Sequence, residues 1–136
     1  MIAAELHLDL QSDPAAIAPA RRTVEEFAAR HDFGERAVAD IGLCLNEALA
    51  NIIRHAYEGR TDRPIALHCH AGDDALTVTL RDWGNGRLPD LRRQPPDPTA
   101  LHPGGLGLPC LKQLLDSLEF LPQPDGMLLK MIRRRR

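Results

Sequence analysis

The sequence predicts an α+β fold, a two-layer α/β sandwich in which helices cover one face of a mostly antiparallel, mixed sheet. Three observations carry this prediction. Strand-like alternation opens the chain and returns in two pairs of runs, 65–70 with 75–81 and 119–122 with 127–132. Apolar residues at three-to-four residue spacing mark two helices before the first pair and a third before the second. The resulting order of strand, helix, helix, strand, strand, helix, strand, strand lets the helices segregate to one side of a sheet.

The first strand is read from Leu6, Leu8 and Leu10, which alternate with Glu5, His7 and Asp9 and run into the turn-forming Ser12, Asp13 and Pro14. A helix follows to about His31, because Ile17, Val24, Phe27 and Ala28 recur at helical spacing. Ser12 or Asp13 serves as its cap, with Pro14 at the tolerated first-turn position. After Phe33 and Gly34 a longer helix runs to about Tyr57 on Val38, Ile41, Leu45, Leu49 and Ile52, with Gly59 as its stop. Its other face reads as polar, with Glu47, Asn51 and Arg54 projecting side by side.

The runs 65–70 and 75–81 flank Ala71, Gly72, Asp73 and Asp74, which have the chemistry of a hairpin turn. Between Gly84 and Gly107 lie Pro89, Pro95, Pro96, Pro98 and Pro103, which deny that stretch regular structure. So long a loop inside a small domain is usually functional, and residues 87–106 are expected to form a lid. The third helix spans 108–118 on Leu111, Leu114, Leu115 and Leu118, and the last two runs close around Pro124, Asp125 and Gly126. Residues 1–136 are expected to form one domain, since 136 residues suffice for a single core.

Bulk composition narrows the function classes. With 43% hydrophobic and 26% charged residues the chain is far from a disordered composition. A net charge of −2 gives no general attraction to nucleic acid or to an anionic membrane, so neither is expected as a partner. The run Arg133, Arg134, Arg135 and Arg136 reads as a solvated tail after the last strand, or as a docking element for an acidic partner. Cys44, Cys69 and Cys110 are widely spaced in apolar contexts and read as reduced core residues, which points to the cytoplasm. The polar, alternating N-terminus is unlike a signal peptide.

Three short elements bear chemistry. Glu47 and Asn51 stand one helical turn apart and can present two oxygens to a hydrated Mg²⁺ and its phosphate ligands, although such a pair on a solvent face is ordinary. Asp82-Trp83-Gly84-Asn85-Gly86 follows a strand-like run. Its glycines allow a flat ligand to approach the backbone, and its acid can accept a hydrogen bond from an exocyclic amine; an empty turn has the same composition. Gly104-Gly105-Leu106-Gly107-Leu108 joins a loop to a helix, where bare amides can hold phosphate oxygens. No Gly-Lys-Ser/Thr follows it, which excludes a Walker A loop.

In this order the three elements resemble the N, G1 and G2 boxes of the GHKL ATPases. The segment from Leu45 to Tyr57, closing on His55-Ala56-Tyr57, is similar to that of anti-sigma-factor serine/threonine kinases, as is the preceding Ala20-Arg21-Arg22-Thr23-Val24. The resemblance implies an ATP-binding anti-sigma factor that sequesters a sigma factor and phosphorylates a STAS-type antagonist. It makes Glu47 the general base and Asn51 the Mg²⁺ ligand. Asp82 would bind the adenine amine, Gly84 and Gly86 would admit the base, and Gly104, Gly105, Leu106, Gly107 and Leu108 would contact the phosphates. Arg21 corresponds to the partner-binding arginine, with Arg22 beside it, and a homodimer is plausible by resemblance.

Two features depart from the family pattern. Pro103 stiffens the segment before the G2 glycines, and Arg87-Leu88-Pro89 replaces a continuation that usually contains phenylalanine. Both bear on lid closure and keep a second reading open, a non-catalytic nucleotide-gated module that holds another partner. His68, Cys69 and His70 alternate so that the histidines share one face and the cysteine the other, and with no second ligand pair nearby in sequence a metal site is not expected there. Trp83 either stacks on a base or caps the core. His55 and Tyr57 are read as packing groups at the helix end.

Overall fold

The computed structural model of the chain describes residues 4–86 and 108–135. Strand β1 (Ala4–Gln11) leads through a 3₁₀ turn (Pro14–Ala16) into helix α1 (Ile17–Arg30), and α2 (Glu35–Asn51) follows. Then come β2 (Pro64–Ala71), β3 (Ala75–Asp82), α3 (Leu108–Leu114), β4 (Ser117–Gln123) and β5 (Gly126–Arg134). The sheet order is β1-β2-β3-β5-β4, and every described pairing is antiparallel. The expected mixed character of the sheet is therefore not found among the described strands.

Strands β2, β3 and β5 sort their residues by alternation. Ile65, Leu67, Cys69 and Ala71 of β2, Leu76, Val78 and Leu80 of β3, and Met127, Leu129 and Met131 of β5 are all buried. Against this row pack Val24, Phe27 and Ala28 of α1 with Ala37, Ile41, Cys44, Leu45, Ala48 and Leu49 of α2 in one core. This is the predicted sandwich: period 2 and period 3.6 each turn one face inward, and both faces close on the same interior. Pro122 lies in β4, a strand at the edge of the sheet, where a missing N–H costs no ladder bond on the open side.

Asp13 accepts the Ala15 N–H at 2.9 Å and so caps the first turn. The other candidate cap, Ser12, is buried and does a different job: its hydroxyl donates to the Arg60 carbonyl and accepts the Arg63 amide at 3.0 Å, tying the end of β1 to the chain before β2. The second helix keeps α geometry only to Asn51 and continues through Ile52–Ala56 as one π turn, with the Tyr57 amide reaching the Ile52 carbonyl at 3.0 Å. The expected stop holds, as Gly59 adopts φ 82° and its amide returns to the Ile53 carbonyl at 2.8 Å.

Two expectations fail near the C-terminus. Helix α3 ends at Leu114 rather than 118, because Ser117 and Leu118 pair with Ile132 and Met131 as the first rungs of β4. The arginine run is no solvated tail over its described part. Arg133 is buried with its Nε and Nη2 on Asp40 Oδ2 at 3.2 and 3.1 Å, and Arg134 is the last residue of β5. Arg135 donates to the carbonyls of Asp73, His31 and Gly72, and its guanidinium lies 4.2 Å over the Phe33 ring. Among the described residues no helix is long and apolar enough to cross a membrane.

Candidate functional site

The site is built where the end of α2 meets the turn after β3. Asp82 is the last residue of β3 and continues the inward row of Leu76, Val78 and Leu80, so alternation alone drives its carboxylate beneath the surface, where it is 2% exposed. There Oδ1 accepts the Gly84 amide at 2.9 Å. Burial raises the Asp82 pKa, and the amides of Gly84 and Met127 and the charge of Arg81 oppose the rise without cancelling it. A carboxylate so desolvated gains from any further N–H donor that a ligand brings.

The turn is docked on the helix end by three hydrogen bonds. The Trp83 amide donates to the Tyr57 hydroxyl at 2.8 Å, the Asn85 amide to the Ala56 carbonyl at 3.2 Å, and Asn85 Nδ2 to the His55 carbonyl at 2.9 Å. Tyr57 is itself buried and its hydroxyl donates to the Pro64 carbonyl at 2.5 Å; burial raises its pKa. The carbonyls that receive the turn belong to the last turn of the helix, Ile52–Ala56. At any helix end the last carbonyls lack intrahelical partners, and here the neighbouring turn takes up those of His55 and Ala56.

Gly84 is required by this contact. A Cβ there would lie 2.8 Å from the Ala56 carbonyl carbon and closer still to its oxygen, so any side chain would push the turn off the helix. The glycine thus serves the approach of two backbone segments, a reason distinct from the expected approach of a base. Gly86 adopts φ 70°, a left-handed conformation that favours glycine. Gly126 meets the same strand end from β5: a Cβ there would lie 2.8 Å from the Asp82 carbonyl carbon.

Glu47 and Asn51 are four residues apart within the α-helical part of α2 and share a face, as expected. The face is not simply polar, however. Glu47 is 4% exposed, Asn51 is half-buried, and Arg54, beyond the start of the π turn, is exposed. Arg54 belongs to the π turn Ile52–Ala56 and not to the α-helical part. Trp83 does not cap the core, being 43% exposed with the Arg81 guanidinium 4.6 Å over its ring.

Arg21 lies on α1 half-buried, with Nε 3.6 Å from Glu25 Oε1. Glu25 in turn covers Gly42 of α2, so the pair sits at the seam between the two helices. Arg22 is exposed. Leu108 is the first residue of α3. Gly104, Gly105, Leu106 and Gly107, the lid at 87–106 and the departures at Arg87-Leu88-Pro89 and Pro103 lie outside the described residues.

Sequence reasoning left Asn85 unremarked and Tyr57 as packing, yet these two side chains join the helix to the turn. The available signal was that both stand inside motifs already singled out. The donor set suits a nucleotide with a hard cation: a buried carboxylate with spare acceptor capacity at one end, and a carboxylate and a carboxamide one turn apart at the other.

The chain is similar to several known proteins. Residues 10–133 match the model of the histidine kinase-like ATPase domain. The chain is 27% identical to the serine-protein kinase RsbW of Listeria innocua over 123 residues, which are 85% of this chain and 78% of that protein. It is 32% identical to the anti-sigma F factor of Caldanaerobacter subterraneus over 117 residues, 82% of this chain and 80% of that one. Among solved structures, the RsbU and RsbW domains of Rv1364c from Mycobacterium tuberculosis superpose with a TM-score of 0.71 at 19% identity, covering 96% of this chain and 32% of that longer one, a likeness of fold. The chain therefore belongs to the histidine kinase-like ATPase domain family, which implies ATP binding.

Proposed function

We propose that the protein is an anti-sigma factor with serine/threonine kinase activity, which holds a sigma factor and phosphorylates a STAS-type antagonist in a partner-switching circuit. The observation that supports this reading best is the docking of the Asp82 turn on the end of the helix that bears Glu47 and Asn51, which joins a base-recognising acid to a phosphate-proximal pair. The names of the similar proteins, a serine-protein kinase and an anti-sigma F factor, point the same way.

In this reading Asp82 accepts the exocyclic amine of adenine, and its buried carboxylate rejects a base that offers an acceptor there instead. Asn51 ligates Mg²⁺, which when bound neutralises phosphate charge. Glu47 takes the proton of the attacking serine or threonine hydroxyl as the O–P bond forms and the bond to the β-phosphate oxygen breaks. Its burial shields it from water, which favours proton transfer within the complex. Gly104, Gly105, Leu106, Gly107 and Leu108 are the phosphate contacts in this reading, and Arg21 the contact to the protein partner. One domain is sufficient for all of these roles.

The test is phosphotransfer from radiolabelled ATP to a STAS-domain antagonist. Glu47→Ala is expected to keep ATP affinity while transfer falls by about 10²-fold or more. Equal transfer by both proteins would remove Glu47 as base. ATP-dependent capture of a partner with no phosphoprotein at any time would favour the nucleotide-gated binding module.

A further inference from the structure

We infer that Glu5, His7 and His68 form a binding site for a zinc-class divalent transition-metal ion on the outer face of the sheet, opposite the helices and the nucleotide site. The sequence brings only part of this set together: Glu5 and His7 alternate on β1, and His68 lies sixty-one residues on in β2. The sheet completes it. In the antiparallel register His7 stands directly across from His68, with Leu6 and Cys69 on the neighbouring rung turned the other way. The two imidazole rings are 4.3 Å apart between centroids and tilted by 35°, and His68 Nε2 lies 2.9 Å from Glu5 Oε1. One ligand atom from each of the three residues falls within 4.8 Å of the others.

These distances are close to what coordination needs. Zinc–nitrogen bonds of about 2.0–2.1 Å in a tetrahedron place two donors about 3.4 Å apart. Glu5 and His7 are exposed and His68 is partly so, which leaves their side chains free to rotate through the remaining ångström or so. The backbone positions need not move, since all three residues are held on paired strands. Two imidazoles and one carboxylate suit zinc and its neighbours rather than magnesium or calcium, which take all-oxygen shells. Three protein donors leave a fourth position for water. Cys69 is no competitor, being buried on the inner face with its thiol pushed up to about 12 by desolvation. In the metal-free arrangement Glu5 and His68 bond to each other, and the ion would replace that bond with two of its own.

The experiment is competition for zinc against a chromophoric chelator, on the full chain freed of tag and stripped of metal, with wild type and His7→Gln/His68→Gln compared. One saturable equivalent is expected for wild type, and a loss on the order of 100-fold for the variant at an unchanged thermal midpoint. Cobalt(II) in place of zinc is expected to give the intense visible band of a four-coordinate ion in wild type alone. Should the double variant fail to fold, Glu5→Gln takes its place with a smaller loss of the same sign. Equal zinc affinity in wild type and variant, which would place the ion on Cys110 or another histidine, overturns the assignment, as does the absence of saturable binding at millimolar zinc.

Discussion

Asp82 closes the inward row of β3 and Arg133 the inward row of β5, at opposite ends of one ladder in which Asp82 pairs with Met127 and Leu76 with Arg133. Both obey the same alternation, and both are buried, at 2% and 7% exposure. Their charges are handled differently. Arg133 meets a carboxylate, Asp40, and passes a further N–H to the Arg134 carbonyl at 2.7 Å. Asp82 is held by peptide amides, which leave its pKa raised by burial. A buried charge bonded directly to an opposite charge is finished as structure, whereas one bonded to peptide amides, with the Arg81 charge only nearby, retains capacity for a ligand.

The largest effect is expected at the closed end. Arg133→Ala leaves Asp40 without its counter-ion and is expected to cost about 3 kcal/mol in urea unfolding. Arg133→Met combined with Asp40→Leu is expected to recover most of that, and a double variant as weak as the single one would show that Arg133 matters for something other than charge closure. At the open end Gly84→Ala forces the turn off Ala56. A loss of about 2 kcal/mol is expected, with ATP affinity falling alongside; an unchanged ATP dissociation constant would separate the docking from the site.

Asp82→Asn sharpens the comparison further. It keeps the shape while removing the charge-assisted acceptor, and ATP affinity measured by calorimetry is expected to fall roughly tenfold, about 1.4 kcal/mol. A smaller effect concerns pH. With its folded pKa above the ordinary 3.8, Asp82 holds more proton in the folded chain than in the unfolded one between those two values. Wild-type stability therefore falls as pH rises through that window, is unaffected below it and stays lowered above it. Asp82→Asn lacks this slope, so the difference between the two proteins should drift in the variant's favour as pH rises from 3.8. A flat difference would mean that the amides neutralise Asp82 as fully as Asp40 neutralises Arg133.

Much of the fold was legible because it rests on local periodicity. The alternation of Leu6, Leu8 and Leu10, the helical spacing through Leu45 and Leu49, and the Gly59 stop needed no distant partner to be read. The misreadings are those that local pattern cannot decide. Ending β3 at 81 and β5 at 132 left Asp82 in a turn and Arg133 in a tail, although one more step of alternation carries each into the core. Leu118 fits a helix and a strand equally well from its neighbours, and only the partner Met131 decides between them.

The candidate site divides in the same way. By itself the sequence determined which groups are available: Glu47 and Asn51 one turn apart, Asp82 ahead of two glycines, histidines alternating on a strand. These follow from covalent spacing and backbone geometry, which act over a few residues. Only the tertiary structure decided that Gly84 yields to Ala56, that Tyr57 and Asn85 lash the turn to the helix, that Arg133 finds Asp40, and that His68 meets Glu5 and His7. Each joins residues 26 or more positions apart along the chain. Pairings of that kind are chosen by the packing of the whole core and by strand register, which no local window contains.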